Sequence, residues 1–207
     1  MVISSSSPAV AARCAHVRAG VGAVASQNVT DPELGPLLLD LIAKGLDACS
    51  ALAQLTKDRP HIEFRQLLAV DHQGRVAIHS GRKVLGIWGE AKGNNCAAGG
   101  NLLANASIPT AMISKFETTE GLLADRLLAA LQAGLDAGGE AGPVHSAGLK
   151  VADKLSWPAV DLRVDWSDAP IAQLTELWAL YKPQVGAYIQ RAIDPTQAPS
   201  YGVPGDK

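Results

Sequence analysis

RAGVGAVASQN, residues 18–28, is the stretch from which the fold is read. Tiny and β-branched residues alternate through it as in a strand buried on both faces, and the run ends in polar side chains. Gly20 and Gly22 carry no Cβ, so a second layer of backbone can approach closely, at some cost in strand stability. Val21 and Val24 supply β-propensity, while Ser26, Gln27 and Asn28 bring hydrogen-bonding groups to the strand's exit. Such a strand is either plain core running into a loop or one wall of a site.

Helical and extended patterns alternate on both sides of it. Upstream, Val2 and Ile3 read as strand, cut off by Ser4–Ser7 and Pro8, and a short helical piece spans Ala9–Ala15. Downstream, Leu34, Leu37, Leu38, Leu41 and Ile42 share one helical face that Gly45 can cap. Asp47 is placed to N-cap a second helix carrying Ala48, Ala51, Leu52 and Leu55. Gln66–Asp71 and Arg75–His79 form a hairpin around His72-Gln73-Gly74. Segment 81–105, rich in Gly and Asn, reads as loop with short strands. A helix starts near Pro109, and Gly121 separates it from the strongest helical pattern, with Ala124, Leu127, Leu128, Leu131 and Leu135 on one face before Gly138-Gly139. Ser146–Val151 and Val160–Val164 read as strands, and Pro170–Tyr181 as the last long helix. Some helix is expected through Ile193, then a loose tail over Pro195–Lys207. The expected division is one domain over residues 1–182 with an extension over 183–207. Hairpins layered with paired helices predict an α+β fold and not strict βαβ alternation.

Composition narrows the function classes. The chain has 207 residues, 47% hydrophobic and 18% charged, with a formal net charge of −2, which is the make-up of an ordinary globular domain. That charge gives no footprint for nucleic acid, and the absence of a long apolar run predicts no membrane span. Cys14, Cys49 and Cys96 are odd in number and widely spaced, which suits reduced thiols and a cytoplasmic location. They and the histidines show no metal-ligand spacing, so neither a metal nor a cofactor is expected. The Gly-rich segment lacks the spacing and following Lys of a phosphate loop.

RAGVGAVASQ (18–27), RQLLAVDHQGRVAIHSG (65–81), GNLLA (100–104), LADRLLAALQAGLDAGG (123–139) and DLRVD (161–165) occur in the order and spacing of one family. The chain resembles, over nearly everything from residue 2 to about residue 181, the domain of unknown function 1028, placed in the N-terminal-nucleophile (Ntn) hydrolase superfamily. The resemblance implies a four-layer αββα sandwich. It also implies hydrolysis of an amide or peptide bond in a small substrate by a Thr, Ser or Cys at the start of the mature chain, whose α-amine is the base. Members of the family usually open Thr-Phe-Ser-Ile in a first strand and then turn into a second. This sequence enters at that second strand, so the first strand of about a dozen residues and its Thr are expected to be lacking: either the natural start and the nucleophile lie upstream of Met1, or this member has lost the element.

The supporting site residues expected from that reading are Ser4, Ser5 and Asn101 for catalysis, with Asn101 as oxyanion donor in a Gly-rich loop. Gln27, Asn28, Arg163 and Asp165 are the candidates for binding substrate. Each has a plain structural alternative: a serine cluster caps backbone, Asn and Gly build turns, and Asp161, Arg163 and Asp165 form a polar ladder on a strand. Arg126 is expected to pair with Asp161 or Asp165. His79 and Asp71 could meet across their hairpin, but no third group completes a triad. The rival function is a non-catalytic Ntn-like subunit that binds a ligand or assembles, with a homo-oligomer left open and Trp178, Tyr181 and the Pro-rich tail as its interface.

Overall fold

Residues 1–203 are described by the computed structural model, and they arrange into layers whose order follows from which faces the sequence makes apolar. In chain order the elements are β1 (Val2–Ser5), α1 (Val10–Cys14), β2 (Ala15–Arg18), β3 (Gly22–Gln27), α2 (Leu34–Ala43), α3 (Ala48–Thr56), β4 (Gln66–Asp71), β5 (Val76–Ser80), β6 (Gly89–Gly93) and β7 (Cys96–Gly100). They continue with α4 (Ile108–Thr118), α5 (Leu123–Asp136), β8 (Ser146–Val151), β9 (Val160–Val164), α6 (Pro170–Tyr181) and α7 (Val185–Ile193). One sheet is β2-β3-β4-β5, antiparallel throughout, and α2 and α3 cover its outer face. Leu34, Leu38, Leu39 and Ile42 of α2 and Ala48, Ala51 and Leu52 of α3 bury against Val24, Leu67, Ala69 and Ala77 of that sheet. The second layer holds two separate ladders, β1-β8-β9 and β6-β7. Helices α4, α5 and α6 cover it from outside, with Leu128, Leu131, Leu149, Leu174 and Trp178 in its largest cluster. The result is the expected α+β sandwich, helices outside and two strand layers within.

The opening stretch reads differently in one respect. It is not one strand but the end of β2, a turn over Ala19–Val21, and β3. Gly20 has φ +69 and belongs to that turn, where a left-handed backbone suits a residue without Cβ. Gly22 is the residue at which another strand comes close: a Cβ there would collide with the carbonyl oxygen of Val70 on β4. The paired helices, the hairpin around residues 72–74 and the strands over 146–151 and 160–164 lie where periodicity puts them. Within 81–105 the short strands are a β6-β7 hairpin turning at Asn94-Asn95.

The C-terminal segment also differs from the expected loose tail. Over Pro195–Gln197 the chain makes a 3-10 turn, and the Arg191 guanidinium lies 3.7 Å from the centre of the Tyr201 ring while donating to the Pro199 and Ser200 carbonyls. The last residues of the expected tail, 204–207, lie outside the described residues. Trp178 is only 6% exposed, and its Nε1–H donates to Asp125 at 2.7 Å. That buried ring belongs to the core and offers no interface. Among the described residues no helix is long and apolar enough to cross a membrane.

Candidate functional site

Between β1 and the β6-β7 hairpin the second layer has a gap. A groove of about 470 Å³ occupies it. Its two sides are Met1–Ser7 and Asn95–Leu103. Its floor is the other sheet, through Ala23, Ala25, Leu68 and Ala69, and its roof is Ile108, Met112 and Phe116 of α4 with Leu127 and Leu131 of α5. Both sides are sheet edges, since β1 pairs only with β8 and β7 only with β6 among the described residues. In an antiparallel ladder alternate residues turn their N–H and C=O away from the partner. Met1 exchanges both ladder bonds with Lys150, so by alternation Val2 and Ser4 present their backbone groups to the groove. The tight Gly93–Cys96 pairing does the same for Ala97 and Gly99. Burial pushes the Met1 amine, held on the Lys150 carbonyl at 2.8 Å, down to about 5.

Three strands reach the groove's mouth with the same end. Gln27, the last residue of β3, donates through Nε2 to the Gly99 carbonyl of β7 at 3.2 Å. Glu140 accepts from the Ser6 amide at 2.8 Å, just past β1, and forms a bridge with Leu103, just past β7. The exits of β1, β3 and β7 therefore converge, and β1 and β7 run in the same direction.

This convergence gathers Ser4, Ser5, Gln27, Asn28 and Asn101 along one groove. Their side chains are not equally available. Ser4 and Asn101 make no side-chain hydrogen bond to another described residue, and Ser5 Oγ accepts from the Ser7 amide at 3.0 Å. Asn28 is fully engaged as a clamp: its Nδ2 donates to the Phe64 carbonyl and its Oδ1 accepts from the Leu85 amide at 3.1 Å. Arg163 and Asp165 are not brought to the groove. They stand exposed at and just beyond the end of β9, the far edge of the β1-β8-β9 ladder. The reason is topological, because β8 lies between β9 and β1.

Other expected pairings resolve into structural contacts. Arg126 does not reach Asp161 or Asp165; it donates to the Phe116 carbonyl and stacks over that ring at 4.0 Å. Asp161 faces Lys150 instead, at 3.5 Å. His79 lies against the Ile62 carbonyl, while Asp71 is taken by Arg75. His145 stacks on Trp166 with ring centres 4.3 Å apart, outside the groove. Cys14, Cys49 and Cys96 are free thiols, and burial is the main force raising those of Cys14 and Cys96. Among the described residues no three potential ligands cluster as a metal would require.

Sequence reasoning missed the residue that holds the groove's second side in place. Gln66, completely buried in β4, accepts from Gln27 Nε2 at 2.8 Å and donates to Ser80 Oγ at 3.0 Å and to the Gly89 carbonyl at 3.4 Å. Ser80 continues to Glu90 at 2.7 Å. This chain of polar contacts joins the continuous sheet to both strands of the β6-β7 hairpin. The available signal was a glutamine opening an otherwise apolar strand, since a buried amide must find partners.

A family model described as a family of unknown function (DUF1028) matches residues 1–174. The crystal structure of a DUF1028 protein from Silicibacter pomeroyi is similar, with a TM-score of 0.85 and 26% sequence identity over 92% of this chain and 83% of that one. No curated protein matches.

Proposed function

The chain belongs to DUF1028, a family of unknown function, and on that premise we propose that its groove is the site of an Ntn-type amide hydrolase acting on a small substrate. The observation that carries this reading is the pair of parallel strand edges, β1 and β7, left one on each side of an apolar slot. An extended segment lying antiparallel to both would bond to Val2 and Ser4 on one side and to Ala97 and the Gly99 amide on the other, the Gly99 carbonyl being shared with Gln27. Antiparallel pairing is the slightly stronger of the two ladders. Because both edges exit at the mouth, an antiparallel segment has its first residue there, beside Ser5, Gln27 and Asn101.

That is where an N-terminal nucleophile is useful. A Thr, Ser or Cys opening the segment attacks the substrate carbonyl carbon, and its own α-amine accepts the side-chain proton and passes it to the leaving amine. Water then hydrolyses the ester or thioester left on the first residue. The unengaged Asn101 amide is suited to donate to the oxyanion, and Ser4 and Ser5 line the approach. The free thiols accord with a cytoplasmic setting.

One observation favours the second reading, a non-catalytic binding subunit. Neither Ser4 nor Ser5 has a histidine or carboxylate within hydrogen-bonding reach, so the described residues contain no activated hydroxyl of their own in the groove. The readings separate when a hexapeptide of strand-forming sequence is added in trans. Opened with a free Thr, it should give amide hydrolysis that falls about 100-fold in Asn101→Ala, the usual scale for one oxyanion donor; opened with Ala, it should give none. Tight peptide binding with no turnover from the Thr peptide would contradict hydrolysis and establish the binding subunit.

A further inference from the structure

Backbone strain in this molecule collects around the groove. Of seven non-glycine residues with positive φ among the described residues, four line it: Asn28 (57°), Val29 (43°), Asn95 (59°) and Leu102 (52°). The asparagines tolerate that conformation, but a β-branched valine there is a true outlier. Val29 and Leu102 also turn outward, 53% and 40% exposed, beside Leu85 at 46%. Leu102 and Leu85 are tied together at the mouth, the Leu102 amide donating to the Leu85 carbonyl at 3.0 Å, and the Leu85 amide donates at 3.1 Å to the side chain of Asn28, the chain neighbour of Val29. Glycine would fit the backbone at 29 and 102 better, yet both positions carry aliphatic side chains facing water. Strain at a groove mouth is a reason to look for a ligand there.

We propose that Val29, Leu85 and Leu102 form a subsite for a large, uncharged aliphatic group carried by the ligand amide; the inference rests on the reading of the mouth as the place where that amide sits. The wall chemistry selects this class. Among the described side chains that line the groove only Arg13 and Glu140 carry formal charge, and they bond to the Pro8 carbonyl and the Ser6 amide. A charged ligand group seated on the collar would lose water against three side chains that carry no charge. The collar offers three aliphatic side chains and no aromatic ring or hydroxyl, so an acyl chain or a branched aliphatic side chain gains most from it. Each methylene it buries strengthens binding by about four-fold.

The test compares N-octanoyl-glycinamide with N-acetyl-glycinamide as probes, binding to the full chain measured by calorimetry. The octanoyl probe should bind at least about ten-fold more tightly. Val29→Gly and Leu102→Gly should each remove at least about three-fold of that preference while leaving the unfolding midpoint unchanged or raised, because glycine relieves the strained backbone. Equal affinity for the two probes, no binding of either, or a preference undiminished in both variants would overturn the subsite. If the preference is lost in the variants but the strand-forming peptide fails to bind, the collar stands and the strand-delivered nucleophile does not.

Discussion

Replacing Asp71 with alanine should lower the unfolding free energy by about 3 kcal/mol, equivalent to roughly 6–12 °C in Tm for a chain of this size. The carboxylate side chain is completely buried at the end of β4. It accepts from the amides of Ala48 at 3.1 Å, Gln73 at 2.9 Å and Arg75 at 3.0 Å, and from Arg75 Nε at 2.7 Å. One acid thus fastens the first turn of α3 and closes the β4-β5 hairpin. Burial works to raise its pKa, but the Arg75 side chain and the three amides outweigh that, and the net shift is below the ordinary 3.8. A carboxyl with a depressed folded pKa stabilises fully above the unfolded value, and the contribution is lost as pH falls through the folded one. The acid limb of stability below about pH 4 should therefore flatten in Asp71→Asn. Urea titrations between pH 2 and 7 check both points; an Asp71→Ala loss under about 1 kcal/mol would mean the four contacts are individually weak.

Gln66→Ala should cost about 3 kcal/mol as well, and should damage function by a different route. Truncation opens a cavity and removes the acceptor for Gln27 Nε2 and the donor to Gly89; leaving buried amide groups unpaired is the expensive part. The β6-β7 hairpin then keeps only the Ser80–Glu90 and Gln27–Gly99 ties to the continuous sheet, and Gln27 has lost the partner that orients it, so the β7 edge of the groove is held less firmly in register. Affinity for a strand-forming peptide should fall about ten-fold beyond the change in Arg163→Ala, which lies far from the groove. Chemical denaturation together with peptide titration measures the two effects. Unchanged peptide affinity in a destabilised Gln66→Ala protein would show that the hairpin is positioned without Gln66.

The sequence was most legible where burial is periodic. The apolar faces of α2 and α5, apart from Leu135, which is 41% exposed, and the turn at residues 72–74 follow from local chemistry, and so does the layered α+β class. The 18–28 stretch shows the limit: small residues are common to buried strands and to turns, and only pairing with β4 distinguishes Gly20 from Gly22. The groove is harder to read because it is made of edges. Nothing local in Val2–Ser5 or Cys96–Gly100 says that each will lack a neighbour on one side. Ser4, Ser5, Gln27, Asn28 and Asn101 could be foreseen as strand-exit polar residues, whereas Arg163 and Asp165 looked alike in sequence and ended at a distant edge. Gln66 and the strained Val29 and Leu102 depend on contacts across dozens of residues, which no spacing rule encodes.

The slot between β1 and β7 should accept an extended segment with its first residue at the mouth. A strand-forming hexapeptide carrying a nitroxide at its N-terminus, bound to isotopically labelled protein, tests this through paramagnetic relaxation. Amide signals of Gln27, Val29 and Asn101 should broaden strongly, while those of Met112, Ile113 and Phe116, on α4 and deeper in the groove, should broaden less. Strong broadening at the deep residues with little at the mouth, or no localised broadening at saturating peptide, would contradict it.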